Sequence, residues 1–285
     1  MINRRDFLQI SAAALGTLAL RNSLFAKNTF PLGVQLYTVR EQAEKDLGAV
    51  LAHIAMIGYT EVETYWNVYT HPAKELRSMI TANGLTVPSG HFDYDGLESK
   101  LDYAKELGVQ YVICPMLPKD MWTSADGFKK AADQFNKWGE QVHSMGMQFG
   151  FHNHNYEFQK FGNTSGFDIL TSTADPKLVC LEMDCYWITQ AGQDPVAMLK
   201  KYGSRIQLLH LKDLLAGYPT SQTLSPAAEH MTEVGSGTID WKTIIATAEK
   251  TGVKHYFVER DNGSTPAFES LRISYAYLTK LLKQG

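Results

Sequence analysis

Short apolar runs recur along the chain, and between them the apolar positions fall at helical spacing. Eight such runs can be counted, at residues 32–37, 60–63, 86–91, 111–114, 147–152, 179–184, 206–211 and 256–259. Each is rich in β-branched and aromatic residues and too short for a helix, which reads as a buried strand. The stretches 97–107, 127–145, 195–202, 241–251 and 266–282 carry the helical pattern. Glycines at 58, 84, 108, 146 and 252 stand where helices should exit into the next strand, the left-handed C-cap position. Strand alternating with helix eight times, with no linker, predicts one parallel (β/α)8 TIM barrel of the α/β class. Two stretches break the rhythm, 159–172 and 214–238, and both follow strands on the side where loops build sites.

In such a barrel every strand C-terminus opens on one face, where the chemistry gathers. The later runs all end in groups that bind metals. Asp184, His210 and Glu259 each close an interior strand, and each is a common ligand type for a divalent ion. Strand five ends in a crowd: His152, Asn153, His154 and, beyond it, Glu157. Alternation sends His152 and His154 to one face and Asn153 to the other. Glu157 is expected to fold back as the fourth ligand, leaving His152 and His154 to bind substrate. The alternative puts His152 on the ion and Glu157 in the role of base. His91 and Glu63, at the ends of strands three and two, are candidates for contact with substrate, and Lys212 for adding positive charge. Tyr186, Trp187 and Trp66 can wall a sugar face or simply fill the core.

Composition adds bounds. A chain of 285 residues with 44% hydrophobic and 20% charged residues suits one large globular domain. The three cysteines, Cys114, Cys180 and Cys185, are too few for a disulfide framework or zinc ribbon. Near the N-terminus, Asn3-Arg4-Arg5-Asp6-Phe7-Leu8 precedes a weakly apolar run and a small residue at Ala26. That matches a twin-arginine export signal over residues 1–26, with the barrel over 27–285 and a periplasmic or exported location. The run is short for a membrane span, so none is expected after cleavage, although an uncleaved signal would leave an anchor. Removing Arg4, Arg5, Arg21 and Asp6 moves the formal charge from −3 to −5. With no basic stripe, a nucleic-acid partner is excluded.

The strings Gly33-Val34-Gln35-Leu36-Tyr37-Thr38, His152 to Phe158 (HNHNYEF), Met183 to Trp187 (MDCYW), His210-Leu211-Lys212-Asp213, Gly235 to Trp241 (GSGTIDW) and Glu259 occur in an order that resembles the xylose isomerase-like superfamily of sugar isomerases and epimerases. The resemblance spans nearly the whole chain beyond the signal. It implies one divalent ion (Mn2+, Co2+, Zn2+ or Mg2+) held by Glu, Asp, His and Glu from strands five to eight. Carried over, these are Glu157, Asp184, His210 and Glu259. The chain departs from that pattern at strand five, where the known epimerases end the strand in glutamate and this one has His152.

The implied reaction is isomerisation or epimerisation of a keto-sugar through an enediolate. Glu157 and Glu259 would be the acid/base pair, Lys212 and His91 would assist, and His152, His154, Trp187 and Glu63 would bind substrate. A leaving group on the β-carbon would turn the same chemistry into elimination, as in a 3-keto-glycoside lyase or an inosose-dehydratase-like enzyme. Export favours a keto-sugar or keto-glycoside as the small-molecule partner. Pairing into a homo-oligomer is compatible with the resemblance. A branch of three-metal DNA-repair endonucleases is disfavoured: the histidine it needs after the strand-six aspartate is here Trp187. A non-catalytic sugar-binding barrel is the competing class.

Overall fold

The structure, a computed structural model, describes residues 30–224 and 230–283. The segment read as an export signal lies outside the described residues. Eight strands form the barrel: β1 (Leu32–Gln35), β2 (Glu61–Thr64), β3 (Thr86–His91), β4 (Tyr111–Cys114), β5 (Gln148–His152), β6 (Val179–Asp184), β7 (Ile206–Leu211) and β8 (His255–Val258). Each pairs in parallel with its sequence neighbour, and β1 pairs with β8 through Leu32↔Tyr256, Gly33↔Phe257 and Val34↔Val258, which closes the sheet. No barrel strand is left with an unpaired edge.

Helices cover the outside: α1 (Arg40–Ile57), α2 (Ala73–Ala82), α3 (Leu101–Leu107), α4 (Ala125–Ser144), α5 (Gly166–Thr173), α6 (Cys185–Gln190), α7 (Pro195–Tyr202), α8 (Trp241–Thr251) and α9 (Ala267–Leu282). Helix α4 shows why the pattern was readable. Phe128, Ala131, Ala132, Phe135, Trp138 and Val142 are buried at helical spacing, and Ser124 caps its start by accepting the Gly127 N–H. Strands β4 and β6 are buried at every position, as a sheet covered on both faces requires. Gly58, Gly108 and Gly252 are left-handed C-caps, as expected. Helix α1 is interrupted at Asp46, whose carboxylate accepts the Ala49 N–H and starts the second segment.

The barrel interior changes character along the strands. Tyr111 and Ile113 of β4, Cys180 of β6, Leu208 of β7 and Phe257 of β8 form one buried apolar cluster. Gly33 belongs to this crowded region: a Cβ there would lie 2.4 Å from the Phe257 ring. Two residues further along the same inward row come Glu182, His210 and Glu259; two more bring Asp184, Lys212 and Asp261. The apolar plug thus supports two levels of ionisable groups at the C-terminal face.

The two irregular stretches differ from expectation in part. Residues 159–172 contain a small antiparallel ribbon (Lys160–Phe161 with Thr164–Ser165) and most of α5. Within 214–238, Met231–Thr232 pairs back onto Asp213–Leu214. Among the described residues no helix is long and apolar enough to cross a membrane.

Candidate metal centre and cavity

The upper level is built from the ends of β6, β7 and β8. Asp184 is the N-cap of α6: Oδ1 accepts the Trp187 N–H at 2.9 Å, and the Asp184 N–H donates to Asn153 Oδ1 at 3.1 Å. This fixes the side chain and aims Oδ2 inward, where it has no hydrogen-bond partner. His210 Nδ1 lies 2.9 Å from Glu259 Oε2 and 3.9 Å from Asp184 Oδ2, and His152 Nε2 lies 4.0 Å from that same oxygen. Lys212 Nζ stands 3.1 Å from Asp184 Oδ2, near but not aligned to donate, and 2.8 Å from both Glu259 Oε2 and Asp261 Oδ1.

The lower level faces the other nitrogens of the same rings. His152 Nδ1 is 3.1 Å from Glu182 Oε2, and His210 Nε2 is 2.6 Å from Glu63 Oε2. His91 Nε2 sits between the two carboxylates, 2.7 Å from Glu182 and 3.2 Å from Glu63. Gln35 Nε2 donates to Glu63 Oε2 at 2.7 Å, and Ser89 Oγ donates to its other oxygen. Glu63, Glu182, Asp184 and His210 are all fully buried.

Electrostatics follow from this crowding. Burial opposes ionisation of Glu63 and Glu182, yet the neighbouring imidazoles win: His91 and His210 hold Glu63 well below the carboxylate range, and Glu182 is lowered to about 2. Burial also opposes charge on His91, but Glu63 and Glu182 raise it to about 10. For Glu259, burial is outweighed by Lys212 and His210, which keep it ionised. For Lys212, burial is outweighed by Asp184, Asp261 and Glu259, which hold it charged. Burial and then Lys212 push His154 down to about 3, so its ring is neutral.

Five carboxylates (Glu63, Glu182, Asp184, Glu259 and Asp261) thus gather around one ammonium and three imidazoles. Such an excess of buried negative charge is costly without a further cation. Asp184 Oδ2, which accepts no hydrogen bond and faces two ring nitrogens and Glu259, fits a divalent ion. Among the described residues two groups of side chains could hold a metal: Asp184, His210 and Glu259, and His91, His152, Glu182 and His210.

Above this centre opens a cavity of about 510 Å3, lined by His91, His152, His154, Lys212, Glu259 and Asp261 on its polar side and by Tyr37, Trp66, Met116, Trp187, Leu224 and Met231 on its apolar side. Trp66 and Met116 are exposed at its rim. Of the residues singled out from sequence, His91, His152, His154, Trp187, Lys212 and Glu259 face this space. Asp184 and His210 lie beneath it.

Two expected positions are different. Glu157 is not brought to the centre: a single 3-10 turn (Tyr156–Phe158) turns it back so that both oxygens accept the His154 N–H, at 3.1 and 3.0 Å. Glu157 neither lines the cavity nor joins either group of ligand atoms. Glu63 stays below the cavity, occupied by His210, Gln35 and Ser89. Sequence reading missed Glu182, Asp261 and Gln35. A charge in the middle of the run Val179–Asp184 was the available signal for Glu182, since alternation places it with Asp184.

Several known proteins share this architecture. The chain is 23% identical to an inosose dehydratase of Clostridium beijerinckii, across 79% of this chain and 86% of that one. It is 22% identical to an inosose dehydratase of Geobacillus thermodenitrificans, across 86% and 95%. A solved sugar phosphate isomerase/epimerase from Parabacteroides distasonis superposes with a TM-score of 0.73 at 25% identity, covering 89% of this chain and 95% of that one. The IolI protein, solved with a bound zinc atom, shares the fold with a TM-score of 0.69 at 15% identity, covering 89% and 98%. The model of the xylose isomerase-like TIM barrel family matches residues 51–280, and the chain belongs to that family.

Proposed function

We propose that this protein is a divalent-cation-dependent enzyme that enolises a keto-sugar or cyclic keto-polyol and then expels a β-substituent. The observation that carries the reading is Asp184 Oδ2, buried with no hydrogen bond, beside Lys212 and among His152, His210 and Glu259 at the floor of the cavity. Those four residues would hold the ion, with His152 in the place that sequence reading gave to Glu157. A divalent ion bound there supplies positive charge to a ketone oxygen and its neighbouring hydroxyl.

The remaining work falls to side chains. Glu259 is ionised and at the cavity wall, so it is positioned to take the proton from the carbon beside the ketone. The electron pair moves toward the ketone oxygen, and its return breaks the bond to the β-oxygen, which leaves as water or an alcohol with the proton that Glu259 had taken from carbon. Lys212 holds Asp184 and Glu259 in register and lends charge to the enolate. His154 is neutral and its Nδ1 is unpartnered, which suits a hydrogen bond to a substrate hydroxyl. Trp187, Trp66 and Tyr37 give the sugar's C–H face an apolar wall.

Elimination is preferred to epimerisation because Glu157, the second carboxylate that proton return to the opposite face would call for, is turned away. The inosose dehydratase relatives support the same choice. Isomerisation or epimerisation is the second reading, favoured by the Parabacteroides neighbour.

The test is incubation of the metal-loaded protein with keto-polyols and 3-keto-glycosides in deuterated water, followed by NMR. Loss of the β-substituent supports the lyase; deuterium exchange with the substituent retained supports the second reading. Asp184→Asn should lower turnover by about 100-fold or more, as expected when a ligand of the ion on which the reaction depends is lost. Neither exchange nor elimination across the panel would leave a sugar-binding barrel.

A further inference from the structure

His152 and His210 each have a carboxylate behind them. On His152, Nδ1 meets Glu182 at 3.1 Å while Nε2 points to Asp184. On His210, Nε2 meets Glu63 at 2.6 Å while Nδ1 points to Glu259 and Asp184. A carboxylate can only accept. On His152 only Nδ1 has a carboxylate within hydrogen-bond reach, so Nδ1 carries the hydrogen and Nε2 presents its lone pair, whereas on His210 both nitrogens face carboxylates. Glu182 therefore turns the His152 ring so that its Nε2 lone pair faces the upper level. His91, lying between Glu182 and Glu63, ties the two supports into one network.

We propose that Glu182 is a positioning residue that makes the histidine of strand five a cation ligand. This rests on the metal centre proposed above. A glutamate at that place would arrive charged and with two equivalent oxygens, whereas an imidazole has two distinct nitrogens and must be presented the right way round. Glu182 stands directly opposite His152 in the β5–β6 register, two residues before Asp184, so one strand supplies both a ligand and the partner of another ligand. A cation seated instead among His91, His152, Glu182 and His210 would need the lone pairs of His152 Nδ1 and His210 Nε2. It would thereby turn hydrogens toward Asp184 and Glu259, so the two arrangements exclude each other.

The experiment measures Zn2+ affinity by competition with a chromophoric chelator for the full chain, Glu182→Gln, His152→Gln and the double variant, together with Co2+ absorption spectra. Glu182→Gln should weaken Zn2+ binding about 10- to 100-fold and shift the Co2+ bands, the usual consequence of losing a ligand's supporting carboxylate. In the His152→Gln background the same change should matter by no more than roughly threefold, the spread of uncoupled pairs. Glu182→Asp, which keeps the charge but withdraws it by one methylene, should lose affinity too, and stands in if Glu182→Gln does not fold. Equal loss with and without His152 would show Glu182 acting through charge alone and overturn the proposal. So would undiminished affinity in Glu182→Gln, or Zn2+ binding abolished by His91→Gln but untouched by Asp184→Asn. If the unaltered protein binds no Zn2+ or Co2+, the metal reading itself falls, which is a separate result.

Discussion

Glu157 keeps its carboxyl in a fully buried place, held only by the His154 N–H and its own turn. Burial raises its pKa to about 8, against which the backbone bonds and Tyr156 pull only partly. Its folded value therefore lies above the unfolded one, and between about pH 4.5 and 8 the folded protein keeps a proton that the unfolded chain gives up. That contribution to stability is full below the lower limit and is lost as pH rises through the window. Glu157→Gln has no such proton. Its melting temperature relative to the unaltered protein should rise by a few degrees from pH 5 to pH 8, at roughly 2–4 °C per kcal/mol for a domain of this size. Parallel melting curves at both pH values would contradict the buried, protonated carboxyl. The same residue shows where sequence reading stopped. His152, Asp184, His210 and Glu259 could be placed because strand alternation and strand ends are periodic. Glu157 lies in a turn, where a glutamate three residues after a free backbone N–H has a local partner that competes with any distant ion.

At the scale of elements, the loop after β7 is held by Asn155, Gln190 and Ser274, and its return to α8 is gathered around Asp213. Asp213 accepts from the N–H groups of Leu214, Gly235, Gly237 and Ile239 and from Trp241 Nε1 at 2.7 Å. This explains the string Gly235 to Trp241 better than any direct role in chemistry: at Gly237 a Cβ would come 2.3 Å from Asp213 Oδ1 and 2.4 Å from the Leu214 carbonyl oxygen. Asp213→Ala should destabilise the fold by about 3 kcal/mol. Two buried donors, the Leu214 N–H and Trp241 Nε1–H, lose their acceptor at roughly 1–3 kcal/mol each, and three part-buried ones lose it at less. Gly237→Ala should act in the same direction by preventing the close approach. Urea denaturation gives the magnitude, and limited proteolysis should show new cuts first between Leu214 and Thr238. Unchanged stability in both variants would mean that Asn155, Gln190 and Ser274 suffice to hold the loop. Most elements were legible in advance: β3, β4, β6, β7, α7 and α8 begin and end where the apolar runs do. Helix α5 was hidden inside the stretch read as irregular, although Ser165 and Asp168 bond to each other across its first turn, Ser165 Oγ accepting the Asp168 N–H and donating to its carboxylate.

For the whole molecule, closure of the barrel decides which parts of the chain are needed. The seam joins β1 to β8 from Leu32 onward, and β1 is held on its other side by β2. The groups of the proposed centre lie on barrel strands or in the first residue after them, and the apolar plug of Tyr111, Ile113, Cys180, Leu208 and Phe257 supports them from below. A protein made of residues 27–285 contains all of these contacts. It should melt within about 2 °C of the full chain, less than a 1 kcal/mol change would cause, and bind Zn2+ equally well. We propose that the paired arginines Arg4 and Arg5 serve as an export address. Arg4→Lys combined with Arg5→Lys should therefore leave melting and Zn2+ affinity untouched while the protein accumulates in the cytoplasm of the producing bacterium instead of its periplasm. A shortened protein that aggregates would show that the N-terminal segment belongs to the barrel's stability. Equal partition of the arginine variant and the unaltered chain between compartments would remove the export proposal without touching the barrel or its centre.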